Sequence, residues 1–237
     1  MLISLVTALF SGESVGLTLI VQLFVLIFVS VCCLPIHESA HAWAADRLGD
    51  PTGRLKGRIT LNPLAHLSFI GTAMLLIFGF GFANPVPVNI NNFPPKKRKT
   101  YFALTALAGP GANILLAFIF TLLKYVIYAV AVKTANESTV MSVSTLFFEY
   151  AAFINVSLAV FNLIPVPPLD GSRVLTAVLP DDLYYKVMQS ERYFMYGLFI
   201  LIFLLNRIGI SPVSMVSTLI SNLINWIVSL PFSAFLK

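Results

Sequence analysis

The sequence predicts an all-α polytopic membrane protein, with about five to six transmembrane helices and a re-entrant or short β element between the first two core helices. Three observations support this fold class. First, 58% of the 237 residues are hydrophobic and only 11% are charged, whereas soluble domains carry roughly 25% charged residues. Second, several apolar runs approach the length of about 20 residues that a spanning helix needs. Third, the Lys and Arg residues gather in short clusters between these runs, which is typical of membrane orientation signals.

The apolar runs define the expected order of helices along the chain. They lie at residues 17–36, 67–83, 102–132, 146–164, 194–205 and 213–230. The fifth run is short, and the second is both short and interrupted by Gly71, Gly79 and Gly81. We expect a single domain over residues 1–237, with its core at residues 15–177 and C-terminal helices at residues 193–231.

Basic charge on both sides of the second run indicates a re-entrant element. Arg54, Lys56 and Arg58 precede this run, and the tract "KKRK" at 96–99 follows it. Because basic loops favour the cytoplasm, both flanks are expected on the same side. A Gly-rich hairpin satisfies this condition; the alternative is six full spans with one basic cluster on the opposite side. With five spans, the N-terminus is expected outside and the C-terminus inside.

Two further segments and the cysteines complete this outline. Residues 53–63 and 84–89 have alternating or Pro-punctuated patterns that favour short strands or extended loops. Cys32 and Cys33 are adjacent in an apolar run, so we interpret them as packing residues and expect no disulfide framework.

The net charge of +5 comes from clusters of Lys and Arg in the loops. We therefore expect the lipid bilayer, and not nucleic acid, as a partner.

The first apolar run leads directly into "HESAH" at residues 37–41. In a helix, residues i and i+4 share one face about 6 Å apart along the axis, so His37 and His41 can bind one metal ion. Glu38 lies about 100° around the helix, where it can take a proton from a metal-bound water. The alternative is that both histidines only form hydrogen bonds between helices, but ionisable groups at membrane depth are usually functional.

A catalytic zinc site typically uses three protein ligands, so a third residue must come from elsewhere in the chain. His66 is the last histidine, and Asp170 stands out in "NLIPVPPLDG" at residues 162–171. The run at 146–164 returns to the side on which the first helix ends, which places Asp170 at the depth of the histidines. On spacing alone, Asp170 fits a metal ligand and an ordinary Asp-Gly turn equally well.

These motifs resemble the site-2 proteases, which are intramembrane zinc metalloproteases of peptidase family M50. The resemblance extends from the first span to about residue 177. It includes five motifs in the family's order: "HESAH", "GRITLNPLAH", "NPVPVN", "AGPGAN" and "NLIPVPPLDG". It implies one zinc ion held by His37, His41 and Asp170, with Glu38 as the general base. It also implies that Asn162 helps to hold the substrate or the developing oxyanion, and that His66 has a structural role.

The resemblance implies a zinc metalloendopeptidase that cleaves membrane proteins within or near their transmembrane segments, in regulated intramembrane proteolysis. It also implies a multi-pass protein of a bacterial or archaeal cell membrane, with the active site toward the cytoplasm. Two other classes remain as alternatives: a metal transporter and a catalytically silent scaffold. A transporter would distribute polar residues through several spans, and a silent relative would lack the Glu or a ligand. The physiological substrate, its cleavage site and the oligomeric state stay open.

Overall fold

A computed structural model describes residues 16–66, 84–134, 138–180 and 189–235, together with a few single positions between these ranges. The α-helices of this part of the chain are numbered in order: α1 Leu17–Phe28, α2 Leu34–Leu48, α3 Thr52–Leu55, α4 Arg98–Thr134, α5 Thr139–Asn162, α6 Asp170–Val174, α7 Glu191–Arg207 and α8 Pro212–Ser229. Short 3₁₀ turns lie at Pro63–Ala65, Ile90–Asn92, Pro95–Lys97, Leu175–Ala177 and Leu230–Phe235.

Helices α1 and α2 form one continuous stretch that is joined by a π-helical segment, Val29–Cys33. The widened turn directly precedes Pro35, which is the second residue of α2. Proline has no backbone N–H to donate to the preceding turn, and π-helical turns are a recognised cause of helix distortion. The long first helical stretch therefore has a local distortion just before Pro35.

Four helical stretches of the described residues are long and apolar enough to cross a membrane. They are Leu17–Leu48, Pro95–Thr134, Thr139–Asn162 and Pro212–Ser233. Large apolar side chains remain exposed along them, including Phe24 (64% exposed), Leu115 (62%) and Trp226 (62%). A soluble protein rarely exposes apolar surface on this scale, whereas lipid covers it favourably. The chain is therefore a multi-pass membrane protein.

The central element of the fold is the antiparallel pair α4 and α5, which only residues 135–138 connect. Small side chains allow these helices to approach closely, and Ala117, Ala151 and Ala159 are fully buried. Val25 and Val29 of the first span pack into the same core. Because α5 runs back along α4, the chain after α5 returns to the end at which α4 begins, and this brings α6 to α2.

Helix α8 and the turn after it pack against the later part of α4. The ammonium group of Lys124 donates to Asn225 Oδ1 over 2.6 Å, and the ring of Tyr125 stacks on Phe232 with 5.8 Å between centroids. Later residues of α4 thus meet later residues of α8, far from the N-terminal part of α4 that contacts α2. Phe232 therefore lies beside a part of α4 that is distant from α2, whereas five spans would place the end of the chain on the side on which the first span ends; the side of the C-terminus stays a prediction.

The short elements differ in part from the sequence expectations. Within residues 53–63, the structure has the end of the one-turn helix α3 followed by turns, and no strand occurs in the described parts of the chain. Residues 84–89 belong to no helix or sheet. Asn89 is extended, and Pro85 and Pro87 restrict the residues before them to extended conformations, which fits the expected extended loop. The expected re-entrant run at 67–83 lies outside the described residues except for Ser68 and Gly71. Helix α7, from the fifth run, is too short to count among the candidate spans.

Candidate metal centre

Three buried side chains converge where α2, α4 and α6 meet. His37 Nε2 lies 3.3 Å from Asp170 Oδ2, and His41 Nε2 lies 3.1 Å from the same oxygen. The two Nε2 atoms are 3.1 Å apart. One donor atom from each residue lies within 4.8 Å of the others, and all three residues are buried. This group can hold one metal ion.

The donor distances fit a tetrahedral zinc site. Zn–N bonds of about 2.0–2.1 Å place two donors on one zinc ion about 3.3 Å apart, which is close to the three distances observed here. His41 also has the outer contact typical of a metal-bound imidazole, because its Nδ1 lies 2.8 Å from the Thr105 carbonyl oxygen. A proton on Nδ1 donates to this carbonyl and leaves Nε2 free to bind a metal.

Local structure explains how Asp170 reaches the histidines. Asp170 is the first residue of α6, and the next residue, Gly171, lies against the backbone at the C-terminal end of α5. A Cβ atom at Gly171 would lie only 2.5 Å from the carbonyl carbon of Leu163 and 2.7 Å from the carbonyl oxygen of Ile164. Only glycine permits this close approach, so the Asp-Gly pair of the motif has a structural reason.

The charge state of Asp170 suits a metal ligand. Burial by itself raises the pKa of this carboxyl group, but the charge of His41 and the hydrogen bonds of His37 and His41 outweigh that effect and hold its pKa well below the usual range. Asp170 is therefore ionised at neutral pH. A carboxylate with two imidazoles is one of the donor sets found in catalytic zinc sites.

Gly109 and Thr105 of α4 are site residues that the sequence did not assign to the centre. A Cβ atom at Gly109 would overlap the ring of His41 and lie 2.7 Å from His37 Cε1. Gly109 lies within the "AGPGAN" motif; at Gly111, in the same motif, a Cβ atom would meet nothing within 4 Å. The motif was the signal that the sequence offered for this position, but it does not indicate that the rings of His37 and His41 lie against Gly109.

The other predicted site residues occupy less defined positions. Glu38 is half-buried and lies next to His37 on α2. Asn162 is the last residue of α5, and its side-chain amide donates to the Leu158 carbonyl over 3.0 Å within its own helix. Their catalytic and substrate-binding roles remain predictions.

His66 is fully buried and does not belong to the metal-binding group. Its Nε2 lies 2.9 Å from the Thr60 carbonyl oxygen. Ser39, between the two histidines of α2, donates its hydroxyl hydrogen to the same carbonyl. His66 thus connects the 58–66 segment to the metal-binding helix, in agreement with the structural role that the resemblance implied.

Comparison with known proteins places the chain in a family. The model of Peptidase family M50 matches residues 22–205. YwhC of Bacillus subtilis, named as a candidate zinc metalloprotease, is 38% identical over 169 residues, which cover 71% of this chain and 75% of YwhC.

Two further relatives are more distant. Rip2 of Mycolicibacterium smegmatis, which carries a similar name, is 29% identical over 161 residues that cover 65% of this chain and 58% of Rip2. Stage IV sporulation protein FB of Bacillus subtilis is 27% identical over 162 residues that cover 65% of this chain and 50% of that protein. No solved structure matches the chain. Since the family model covers most of the chain and includes the residues of the metal-binding group, this protein is a member of peptidase family M50.

Proposed function

We propose that this protein is an intramembrane zinc endopeptidase that hydrolyses peptide bonds within or near the transmembrane segments of other membrane proteins. The observation that carries the proposal is the group His37, His41 and Asp170, whose two histidines lie within the membrane-length stretch Leu17–Leu48. Polar side chains of this kind are costly at membrane depth and are retained for function. The names of the relatives support zinc as the metal.

His37, His41 and Asp170 would hold one zinc ion per chain. Bound zinc polarises a carbonyl group and lowers the pKa of a coordinated water. Glu38 accepts a proton as the general base and returns it to the leaving amine. Its position supports this role, because it adjoins His37 but lies about 100° around the helix from it.

Asn162 would bind the substrate carbonyl or the developing oxyanion. Its amide group has two N–H donors, and one of them is used by the Leu158 carbonyl. The residue is half-buried at the end of α5, eight residues before Asp170. Oxyanion stabilisation by a single side-chain amide is typically worth about 10²–10³-fold in rate.

The substrate must unwind before it can be cleaved, because the carbonyl groups of a transmembrane helix already accept internal hydrogen bonds. The extended residues 84–89 are suited to binding the unwound segment as an added strand. In the described part of the chain, the N–H groups of Val86 and Val88 have no hydrogen-bond partner. Such a reaction constitutes intramembrane proteolysis, and we place the centre on the cytoplasmic side of a bacterial or archaeal cell membrane.

Metal analysis combined with a cleavage assay tests this function. Wild type, Asp170→Ala and His66→Ala are purified in detergent and compared for bound zinc and for cleavage of single-span peptides. We expect about one zinc per chain in the wild type and in His66→Ala, and loss of zinc and cleavage in Asp170→Ala. Zinc retained in Asp170→Ala but lost in His66→Ala would overturn the assignment. A wild type that binds zinc but cuts no spanning peptide would favour a transporter or scaffold.

A further inference from the structure

Asp50 is a buried carboxylate that the metal centre does not use. It follows Gly49, which ends α2 in a left-handed conformation (φ 114°), and its exposed fraction is 0%. Asp50 Oδ1 accepts hydrogen bonds from the Thr52 N–H (3.1 Å) and hydroxyl (2.5 Å). These two contacts alone would describe an ordinary local turn before α3.

The remaining contacts of Asp50 reach a distant part of the chain. Its Oδ2 accepts from the Asn89 N–H over 2.7 Å, and its Oδ1 accepts from Asn92 Nδ2 over 2.7 Å. All four donors are uncharged, and they lower the pKa of this carboxyl group against the opposing effect of burial. Hydrogen bonds to an ionised carboxylate are shorter and stronger than those between neutral groups. Asp50 thus joins the end of the metal-binding helix to residues 89–92.

The opposite end of residues 84–89 is held by a second set of contacts. The Asn84 N–H donates to the His66 carbonyl over 2.7 Å. The guanidinium group of Arg58 donates to the carbonyls of Asn84 (3.3 Å) and Pro85 (3.4 Å). His66 is itself connected to α2 through the Thr60 carbonyl and Ser39. Both ends of the extended segment are therefore fixed to α2.

The middle of the segment leaves backbone groups available for another strand. Val86 is buried and faces Gly53, where an added Cβ would lie 3.4 Å from Val86 Cγ1. Its neighbour Val88 is only half-buried. An extended backbone that is fixed at both ends and has free N–H groups between them can bind a strand with little loss of its own entropy.

We propose that Asp50 is a positioning residue that fixes residues 84–89 relative to His37 and His41, so that this segment receives the unwound substrate strand in register with the metal centre. This inference rests on the proposed function. In this proposal Asp50 contacts neither the metal nor the reacting atoms. Asp50 acts through its hydrogen bond to the backbone N–H of Asn89.

Amide hydrogen exchange and cleavage kinetics of the full chain in detergent test the proposal with Asp50→Asn, which is nearly isosteric. The substrate is a quenched fluorescent peptide with one apolar span of about 20 residues interrupted by Asn-Gly. Since hydrogen bonds to a charged group are worth more than neutral ones, we expect exchange at residues 89–92, whose N–H groups are hydrogen-bonded or adjoin such bonds, to accelerate by about tenfold or more. KM should rise by about tenfold, with kcat within about threefold, because substrate binding is lost equally in the ground state and transition state. Bound zinc should not change.

Two further variants make the result specific. Asn92→Ala removes one donor but keeps the Asp50 charge, and we expect the same changes in exchange and KM at a smaller size. Asp46→Asn is the matched control, because Asp46 lies four residues before Asp50, in the last turns of α2, but pairs with Arg54 at 2.8 Å. We expect this control to behave like the wild type in every measurement.

Each contrary outcome identifies the step that fails. Unchanged exchange in Asp50→Asn would show that Asp50 does not hold the segment. Faster exchange with unchanged KM would show that the segment does not bind substrate. Loss of zinc in Asp50→Asn would mean that Asp50 supports α2 itself. A wild type that cuts no peptide overturns the proposed function, and this result is distinct because the exchange measurement does not depend on cleavage.

Discussion

The residues of the metal centre divide into those that local geometry predicts and those that it does not. The positions of His37 and His41 follow from their spacing on one helix. Spacing alone left the role of Asp170 undecided, because its position depends on how the chain returns after α5. The carbonyl of Thr105 and the bare backbone of Gly109 lie on another helix, 64 and 68 residues beyond His41. No local sequence pattern indicates which glycine will face an imidazole, so these contacts could be identified only from the structure.

Gly109→Ala should disturb the metal centre without any change in its ligands. The new Cβ would overlap the ring of His41 and lie 2.7 Å from His37 Cε1, so at least one imidazole must move. Because displacement of a ligand's immediate support typically costs 10–100-fold in metal affinity, we expect about 100-fold weaker zinc binding and a corresponding loss of cleavage. Competition with a zinc chelator measures the affinity.

Gly111→Ala is the control for this prediction, since a Cβ at Gly111 meets nothing within 4 Å. It lies in the same helix two residues later and should keep wild-type zinc affinity. If Gly109→Ala binds zinc as tightly as Gly111→Ala, the close contact between Gly109 and the histidines is not present in the functional protein.

At the scale of elements, the long apolar helices were predicted well and the short connections were not. The four candidate spans of the described residues follow from hydropathy, because the bilayer imposes a minimum length on any spanning segment. The alternation in residues 53–63 suggested strands, but a one-turn helix and turns occur there, held by Arg58 and Asp50 contacts with residues far along the chain. Alternation over a few residues cannot specify a sheet without a neighbouring strand to pair with.

The Asp50 contacts should weaken in acid. Because the pKa of Asp50 is lowered in the folded protein, its stabilising effect is fully present above the usual Asp value of about 3.9. It is lost as the pH falls through the lower value of the folded state. We expect the ratio of exchange rates at residues 89–92 between Asp50→Asn and wild type to stay constant from pH 7 to about pH 5.

Below about pH 4 the same ratio should begin to fall, and it should reach one once the pH is below the lowered pKa of Asp50, where the wild-type carboxyl group is neutral and resembles the amide of the variant. Measuring both proteins at each pH removes the intrinsic pH dependence of exchange. A ratio that stays constant through the acid range would show that the charge of Asp50 does not hold residues 89–92.

At the scale of the whole molecule, composition predicted the class of protein but not the path of its last helices. An excess of apolar residues identifies the membrane as the surrounding medium, because only lipid can cover so much exposed apolar surface. The position of α8 depends on contacts such as Lys124 with Asn225, and hydropathy does not encode them. The fifth apolar run, at residues 194–205, is also ambiguous from sequence, because its length alone does not decide whether α7 crosses the bilayer.

Single-cysteine labelling tests the arrangement of the chain across the membrane. Lys56→Cys, Lys97→Cys and Ser233→Cys are made in a Cys32→Ser, Cys33→Ser background and labelled with an impermeant reagent from either face. Because both basic loops favour the cytoplasm, we expect positions 56 and 97 to react from the same face. Position 233 should react from the opposite face, since the neighbouring Phe232 stacks on Tyr125, which lies far along α4 from position 97. Labelling of positions 56 and 97 from opposite faces would establish a full span between them.

The central claim, that Glu38 and the metal-binding group form a proteolytic centre, is tested most directly by Glu38→Gln. The amide keeps the size and a hydrogen-bonding tip but cannot accept a proton at neutral pH, and Glu38 is not one of the three ligands. We expect zinc content equal to that of the wild type, with cleavage of the single-span peptide reduced by about 10²–10⁴-fold or more. Glu191→Gln, at the start of α7, should retain both. A Glu38→Gln protein that keeps its zinc and also cleaves at close to the wild-type rate would contradict the account.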